Sequence, residues 1–217
     1  MSKFPTVLHR RDTYIERIEP FMQTPIVKVM IGHRRVGKSY ILYQLIEEIR
    51  KKEQDANIIY INKEDIAYVD IVSSKDLHDY IAQRLIRGKK NYIFIDEIQE
   101  IEDFKVAVRS LALDESNDIY ITGSNSEMFS SDLANELGGR YVEFKIYSLS
   151  YMEFLDFHKL NNDDESLEKY IRFGGLPYLI HLPMREEVVM EYVRSVYSTI
   201  VLRDVVARNN IRNTAFL

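Results

Sequence analysis

The sequence contains no cysteine, and this absence removes several chemistries at once. Disulfide bonds, thiol nucleophiles and cysteine-ligated zinc or iron–sulfur sites are all excluded. Histidine is also scarce, because the five histidines are scattered and form no close pair of metal ligands. A histidine-based metal site is therefore not expected either.

A surplus of positive charge is missing as well. The chain has 29 lysines and arginines against 34 acidic residues, which gives a formal net charge of -5. A strongly basic nucleic-acid surface is therefore not the default interpretation. The N-terminus lacks the apolar core of a signal peptide, and no apolar run is long enough to span a bilayer. We expect a cytoplasmic protein with no membrane partner.

The first two thirds of the sequence alternate between short apolar runs and amphipathic segments. Residues 38–50 and 104–113 have helical periodicity, and Ser73 with Asp76 forms a capping box for a helix that is predicted to end at Gly88. The alternation predicts an α/β fold of three layers, with helices on both faces of a five-stranded parallel sheet. The predicted strands are 26–31, 58–61, 92–95, 119–122 and 141–146.

After Ser148 the pattern is helical only. Ser150 and Glu153 form a second capping box, and Gly174-Gly175 ends the next helix. A long helix then runs from Glu186 to roughly residue 206. Its predicted inward positions are Val189, Tyr192, Val193, Val196, Tyr197 and Ile200. We expect an N-terminal helix within residues 1–24, an α/β core at 25–147 and an all-helical lid at 148–217, and we interpret the chain as part of a longer protein.

A glycine-rich turn between the first strand and the following helix carries the clearest motif. Residues 32–39 read GHRRVGKS and match G-x-x-x-x-G-K-[ST] in full. In this motif the backbone N–H groups cradle phosphate, Lys38 pairs with the β- and γ-phosphates, and Ser39 gives one oxygen to Mg²⁺. Arg34 and Arg35 either contact phosphate or are ordinary exposed loop residues. The predicted nucleotide contacts are Gly32, His33, Arg34, Arg35, Val36, Gly37, Lys38, Ser39 and Tyr40.

Two adjacent acids follow the third predicted strand. Asp96 is predicted to hold Mg²⁺ through water, and Glu97 to polarise an attacking water as a general base. A glutamate directly after the aspartate favours hydrolysis over phosphoryl transfer to another acceptor. By themselves the two acids would fit a solvated strand end, but together with the phosphate loop they predict a hydrolytic site.

Three further positions carry open alternatives. Ser124 and Asn125 follow the fourth strand and either contact the γ-phosphate or cap the next helix. Arg140 either stabilises charge, in its own site or toward a neighbour, or forms a surface ion pair. Gln99 either reports the nucleotide state to a partner or simply starts a helix. The loop, the acids and the Ser-Asn pair all follow strand carboxyl ends, where parallel sheets bind ligands.

The motifs taken together resemble a family. The segments GHRRVGKS, YIFIDEIQ, TGSNS, GGRYVEF, SLSYMEFL, FGGLP and VLRDV are similar to those of prokaryotic AAA-type ATPases that carry a C-terminal domain of unknown function. The resemblance implies an AAA+/ASCE core with a helical lid. It also implies that Lys38 and Ser39 belong to Walker A, that Asp96 and Glu97 are the Walker B acids, and that Ser124 or Asn125 is the sensor. Arg140 falls on the family's Gly-Arg position.

These observations predict Mg²⁺-dependent binding and hydrolysis of ATP, coupled to an unknown protein partner or effector domain. One alternative is a nucleotide-dependent switch or scaffold that does not hydrolyse. Another is a nucleic-acid-associated ATPase, which the negative net charge does not support. An oligomer is compatible with each of the three.

Overall fold

A five-stranded parallel sheet organises the first part of the chain. The computed structural model describes residues 8–124 and 136–200 of the 217 residues. The strand order is β2-β3-β4-β1-β5, and every neighbouring pair is parallel. The predicted five-stranded parallel sheet is therefore confirmed. The strands are β1 Val27–Ile31, β2 Asn57–Asn62, β3 Asn91–Asp96, β4 Asn117–Gly123 and β5 Tyr141–Lys145.

Helices cover both faces of this sheet. On one face, β-branched residues of the strands form a continuous core with the helices α3 and α4. Alternate strand residues point to the opposite face, where Phe94 and Tyr120 stack with their ring centroids 4.5 Å apart and the Tyr43 ring of α2 contacts Tyr60. The three predicted layers are thus present. The helices are α1 Asp12–Ile18, α2 Lys38–Lys52, α3 Ser74–Ala82 and α4 Phe104–Leu111, followed by α5 Tyr151–His158, α6 Asp164–Phe173 and α7 Glu186–Ile200.

Two predicted helix ends were wrong. The capping box of Ser73 and Asp76 begins α3 as expected, but the helix ends at Ala82 rather than at Gly88. The side chain of Asn91 explains the early end, because its Oδ1 accepts a hydrogen bond of 2.8 Å from the backbone N–H of Ile86. This bond ties the segment after the helix to the start of β3. Helix α4 likewise ends at Leu111, two residues before the predicted end.

The chain separates into two compact units, Met1–His33 with Gly37–Tyr147 and Arg34–Val36 with Ser148–Leu217. In the described part, the second unit is helical after Ser148, as predicted. The predicted capping box of Ser150 and Glu153 begins α5, and α7 buries Val189 and Val196. Tyr197 was predicted to point inward but is 59% exposed. No helix within residues 8–124 and 136–200 is long and apolar enough to cross a membrane.

Candidate functional site

The turn between β1 and α2 holds a lysine at the start of the helix. Gly37 precedes α2 with a φ of 95°, a left-handed conformation that favours glycine. Lys38 is buried, and its Nζ donates hydrogen bonds of 3.1 Å to the carbonyls of Gly32 and His33. The Lys38 ammonium group is therefore held against the backbone of the turn that precedes α2.

The remaining loop positions have different surroundings. His33 and Tyr40 are exposed, and Ser39 is half-buried. Val36 is buried and belongs, like Arg34 and Arg35, to the second unit. There the guanidinium of Arg35 lies 5.7 Å from the ring centroid of Tyr192, and its Nη1 is 3.4 Å from the hydroxyl of that tyrosine. The sequence predicted either phosphate contact or an ordinary exposed position for the two arginines, and it did not predict this contact with an aromatic ring.

Asp96, at the end of β3, is 1% exposed and is held at both carboxylate oxygens. Thr122 Oγ1 donates a hydrogen bond of 2.5 Å to Oδ1, and the hydroxyl of Tyr60 donates one of 3.3 Å to Oδ2. Burial raises the pKa of Asp96, while hydrogen bonds from Ser39 and Thr122 and the charge of Lys38 counter that rise. The carboxylate thus has a fixed orientation close to the phosphate loop.

Glu97 turns the chain sharply after β3. Its φ of 53° is left-handed, which is uncommon for a residue other than glycine. The turn is supported because the backbone N–H of Glu97 donates a hydrogen bond of 2.9 Å to Thr122 Oγ1. Its carboxylate Oε1 lies 3.3 Å from Lys38 Nζ, and both side chains are nearly buried. The second acid therefore faces the lysine of the phosphate loop.

Thr122 is the residue that sequence reasoning missed. Strand β4 lies between β1 and β3, so its carboxyl end separates the loop from the two acids. Thr122 is fully buried there and joins Asp96 to the backbone of Glu97. The only signal in the sequence was a single hydroxyl at the end of the apolar run Ile119–Tyr120–Ile121. The sequence does not reveal the strand order that places this hydroxyl beside Asp96.

The remaining predicted positions are placed as follows. Ser124 Oγ lies 3.4 Å from Gln99 Nε2, close to the acids, and Asn125 lies outside the described residues. Arg140 is exposed, and its backbone carbonyl accepts a hydrogen bond of 3.0 Å from the N–H of Val27, the first residue of β1. It therefore lies at the amino end of β1, whereas the phosphate loop follows the carboxyl end. The structure does not bring Arg140 together with the other candidate residues, and its role stays a prediction.

The oxygen ligands at this site suit a small divalent cation. The Ser39 hydroxyl hydrogen-bonds to the Asp96 carboxylate, so a hydroxyl and a carboxylate oxygen are adjacent. Mg²⁺ prefers oxygen ligands and is commonly held by one or two protein groups together with phosphate and water. The chemistry of the two side chains therefore fits Mg²⁺.

Comparisons with known proteins bear on the family and the fold of this chain. The family described as AAA domain matches residues 24–155. An uncharacterised protein of Haemophilus influenzae is 34% identical over 214 residues, which cover 95% of this chain and 53% of that protein. The chain thus spans about half the length of the curated relatives that it matches.

Two solved structures share the fold. The replication initiator DnaA, bound to AMPPCP and single-stranded DNA, has a TM-score of 0.54 at 16% identity, covering 95% of this chain and 72% of that one. The ORC1 protein of Aeropyrum pernix, in complex with DNA, has a TM-score of 0.56 at 13% identity, covering 90% of this chain and 66% of that one. At these identities the likeness shows the fold alone.

Proposed function

Since this chain belongs to the AAA domain family, we propose that it binds ATP, or another nucleoside triphosphate, at residues 32–39 and hydrolyses it with Mg²⁺. The observation that carries the proposal is the 3.3 Å approach of Lys38 Nζ to Glu97 Oε1. It places a phosphate-binding cation, which follows β1, beside a carboxylate able to act as a base, which follows β3. The AMPPCP bound by the structural neighbour DnaA is consistent with a nucleotide at this fold.

Binding uses the groups around the loop. The N-terminus of α2, a helix of 15 residues, offers free N–H groups and a partial positive charge to phosphate. Lys38, which is bonded to loop carbonyls, would exchange those bonds for phosphate oxygens. Ser39 and Asp96 would hold Mg²⁺, which when bound supplies neutralisation of the phosphate charge.

Hydrolysis uses Glu97 as the general base. The oxygen of a water molecule forms a bond to the γ-phosphorus while the bond from that phosphorus to the β–γ bridging oxygen breaks. ADP leaves with the electron pair of the broken bond, and the proton of the water passes to the Glu97 carboxylate and then to solvent. Ser124 Oγ lies 3.4 Å from Gln99 Nε2, which also bonds to Glu97, so Ser124 would contact the same end of the nucleotide.

Coupling to a partner is a further part of the proposal. The curated relatives are about twice as long as this chain, so an effector region outside the matched half would use the nucleotide state. The DNA in the structures of DnaA and ORC1 belongs to those proteins. Because the net charge is -5, we do not extend DNA binding to this chain.

The test is turnover of ATP by the full-length protein and its Glu97→Gln variant. We expect kcat to fall by about 100-fold or more, because the amide cannot take a proton, while binding of Mg-AMPPCP persists. A Glu100→Gln variant, changed at an exposed position of the same turn, should keep the wild-type kcat. Binding without any turnover in the wild-type protein would overturn hydrolysis and favour the switch that binds nucleotide without cleaving it.

A further inference from the structure

Gln99 contacts the carboxylate of Glu97 directly. It lies in the short 3-10 turn Ile98–Glu100, which starts immediately after Glu97. Its Nε2 donates a hydrogen bond of 2.5 Å to Glu97 Oε2 and lies 3.4 Å from Ser124 Oγ. A carboxylate only accepts hydrogen bonds, so the chemistry fixes which end of the amide faces Glu97. The nitrogen holds the acid, and the carbonyl oxygen Oε1 is left for another partner.

That carbonyl oxygen is buried and has no hydrogen-bond partner among the described residues. A buried acceptor without a partner is destabilising, so native proteins rarely keep one without a reason. A simple structural glutamine would satisfy both ends of its amide. Here one end is committed to Glu97, and the other is an acceptor beside the same carboxylate.

The two oxygens of Glu97 also differ in their partners. Oε1 pairs with Lys38, which is the cation that a bound phosphate would draw away, whereas Oε2 is held by Gln99. Arrival of phosphate would therefore free Oε1 and leave Oε2 anchored. A base that is anchored at one oxygen and free at the other is suited to take a proton from a water in a fixed position.

We propose that Gln99 is a positioning residue for hydrolysis, which anchors Glu97 through its amide nitrogen and orients the attacking water through Oε1. This inference rests on the proposed function. One hydrogen of the water bonds to Glu97 Oε1 and passes to it as the new oxygen–phosphorus bond forms and the bond to the bridging oxygen breaks. The other hydrogen bonds to Gln99 Oε1 and stays on the inorganic phosphate. Gln99 neither gains nor loses a proton.

The experiment compares Gln99→Leu and Gln99→Glu with Glu100→Gln in the full-length protein. Leucine removes both polar groups, and glutamate keeps an acceptor but loses the donor that anchors Glu97. We expect both Gln99 variants to lower kcat at saturating Mg-ATP by about 10- to 100-fold. KM and the Kd for Mg-AMPPCP should stay within about twofold of the wild-type values, because uniform binding of nucleotide is not changed. Glu100→Gln should retain the wild-type kcat.

A double variant shows whether Gln99 acts through Glu97. Because both groups act on the same water, Gln99→Leu should slow the Glu97→Gln variant by a smaller factor than it slows the wild-type protein, whereas fully multiplicative effects would overturn the coupling of Gln99 to Glu97. Wild-type kcat in Gln99→Leu or in Gln99→Glu, with normal binding of Mg-AMPPCP, would overturn the role of Gln99 and leave the proposed function intact. A loss of AMPPCP binding in both Gln99 variants would also overturn it, since that points to a structural role. Absence of turnover in the wild-type protein would overturn hydrolysis and, with it, this inference.

Discussion

The Lys38 ammonium and the Glu97 carboxylate form a nearly buried ion pair, with 3.3 Å between Nζ and Oε1. The same ammonium also donates to two loop carbonyls. Because an ion pair gains little net stability when both charges must be desolvated, a phosphate group can compete for this lysine. The pair therefore links the proposed binding residue to the proposed base, and changing either side chain should have a distinct effect.

Replacing Lys38 with alanine should abolish the stabilisation of the protein by nucleotide. At a free ligand concentration of 100 times Kd, binding stabilises a native protein by about 2.7 kcal/mol. The melting temperature of the wild-type protein should therefore rise with Mg-ATP, and that of Lys38→Ala should not. Lys52→Ala is the matched control, because Lys52 ends the same helix and is exposed in its pair with Glu19. An unchanged rise in Lys38→Ala would contradict nucleotide binding at this loop.

Replacing Thr122 with valine should weaken both stability and catalysis. Valine keeps the branched shape but removes the hydroxyl that bonds Asp96 and the backbone N–H of Glu97. Loss of these two buried hydrogen bonds should lower the free energy of unfolding by about 1–3 kcal/mol. Urea unfolding would measure this loss, and Thr122→Ser should recover most of it. If the valine variant matched the wild type in stability and kcat, the bridging role of Thr122 would be wrong.

A second buried pair, Lys28 with Asp118, lies near the amino ends of β1 and β4. Both side chains are fully buried, and Asp118 also accepts hydrogen bonds from the backbone N–H of Gln23 at 2.7 Å and from the Tyr120 hydroxyl at 2.8 Å. Burial lowers the pKa of Lys28, while the charge of Asp118 and its hydrogen bond oppose that shift. Asp118 thus favours the charged form of the buried lysine.

Removing one member of the Lys28–Asp118 pair should lower the free energy of unfolding by more than the ion pair itself contributes to it. Lys28→Met leaves an uncompensated buried carboxylate, and we expect a loss of about 3–5 kcal/mol in the free energy of unfolding. The double variant Lys28→Met with Asp118→Asn should lose less than the sum of the two single variants. Chemical denaturation of all four proteins measures the coupling. Strict additivity would show that the two side chains do not interact.

The parts of this fold that local pattern determines were predictable. The β-branched runs mark the strands because side-chain shape and burial act over a few residues. The phosphate loop is a contiguous motif, and the capping boxes of Ser73 and Ser150 use residues three positions apart. These features need no knowledge of the rest of the chain.

The parts that depend on strand order were not predictable. Thr122 is separated from Asp96 by 26 positions, and only the insertion of β4 between β1 and β3 brings them together. The early end of α3 has a similar cause. The side chain of Asn91 accepts a hydrogen bond from the backbone N–H of Ile86, and this bond overrides the helical pattern that extends to Gly88. The left-handed turn at Glu97 depends in the same way on the hydroxyl of a neighbouring strand.

Replacing either Gly174 or Gly175 with alanine should destabilise the protein, but for different physical reasons. A Cβ on Gly175 would lie 2.3 Å from the backbone oxygen of Leu149, and Leu149 N–H donates a hydrogen bond of 2.7 Å to the carbonyl of Gly175. Alanine must push these two backbone segments apart, at a cost of about 1–3 kcal/mol or more.

At Gly174 there is open space, but the φ of 76° with a ψ of -176° is a conformation essentially limited to glycine, so alanine there costs about 1–3 kcal/mol through strain alone. Hydrogen exchange of the Leu149 amide separates the two causes when the variants are compared at equal global stability. This amide should exchange faster in Gly175→Ala. It should keep its protection in Gly174→Ala. Equal protection of Leu149 in both variants would mean that the contact between Gly175 and Leu149 is not what makes glycine necessary at this position.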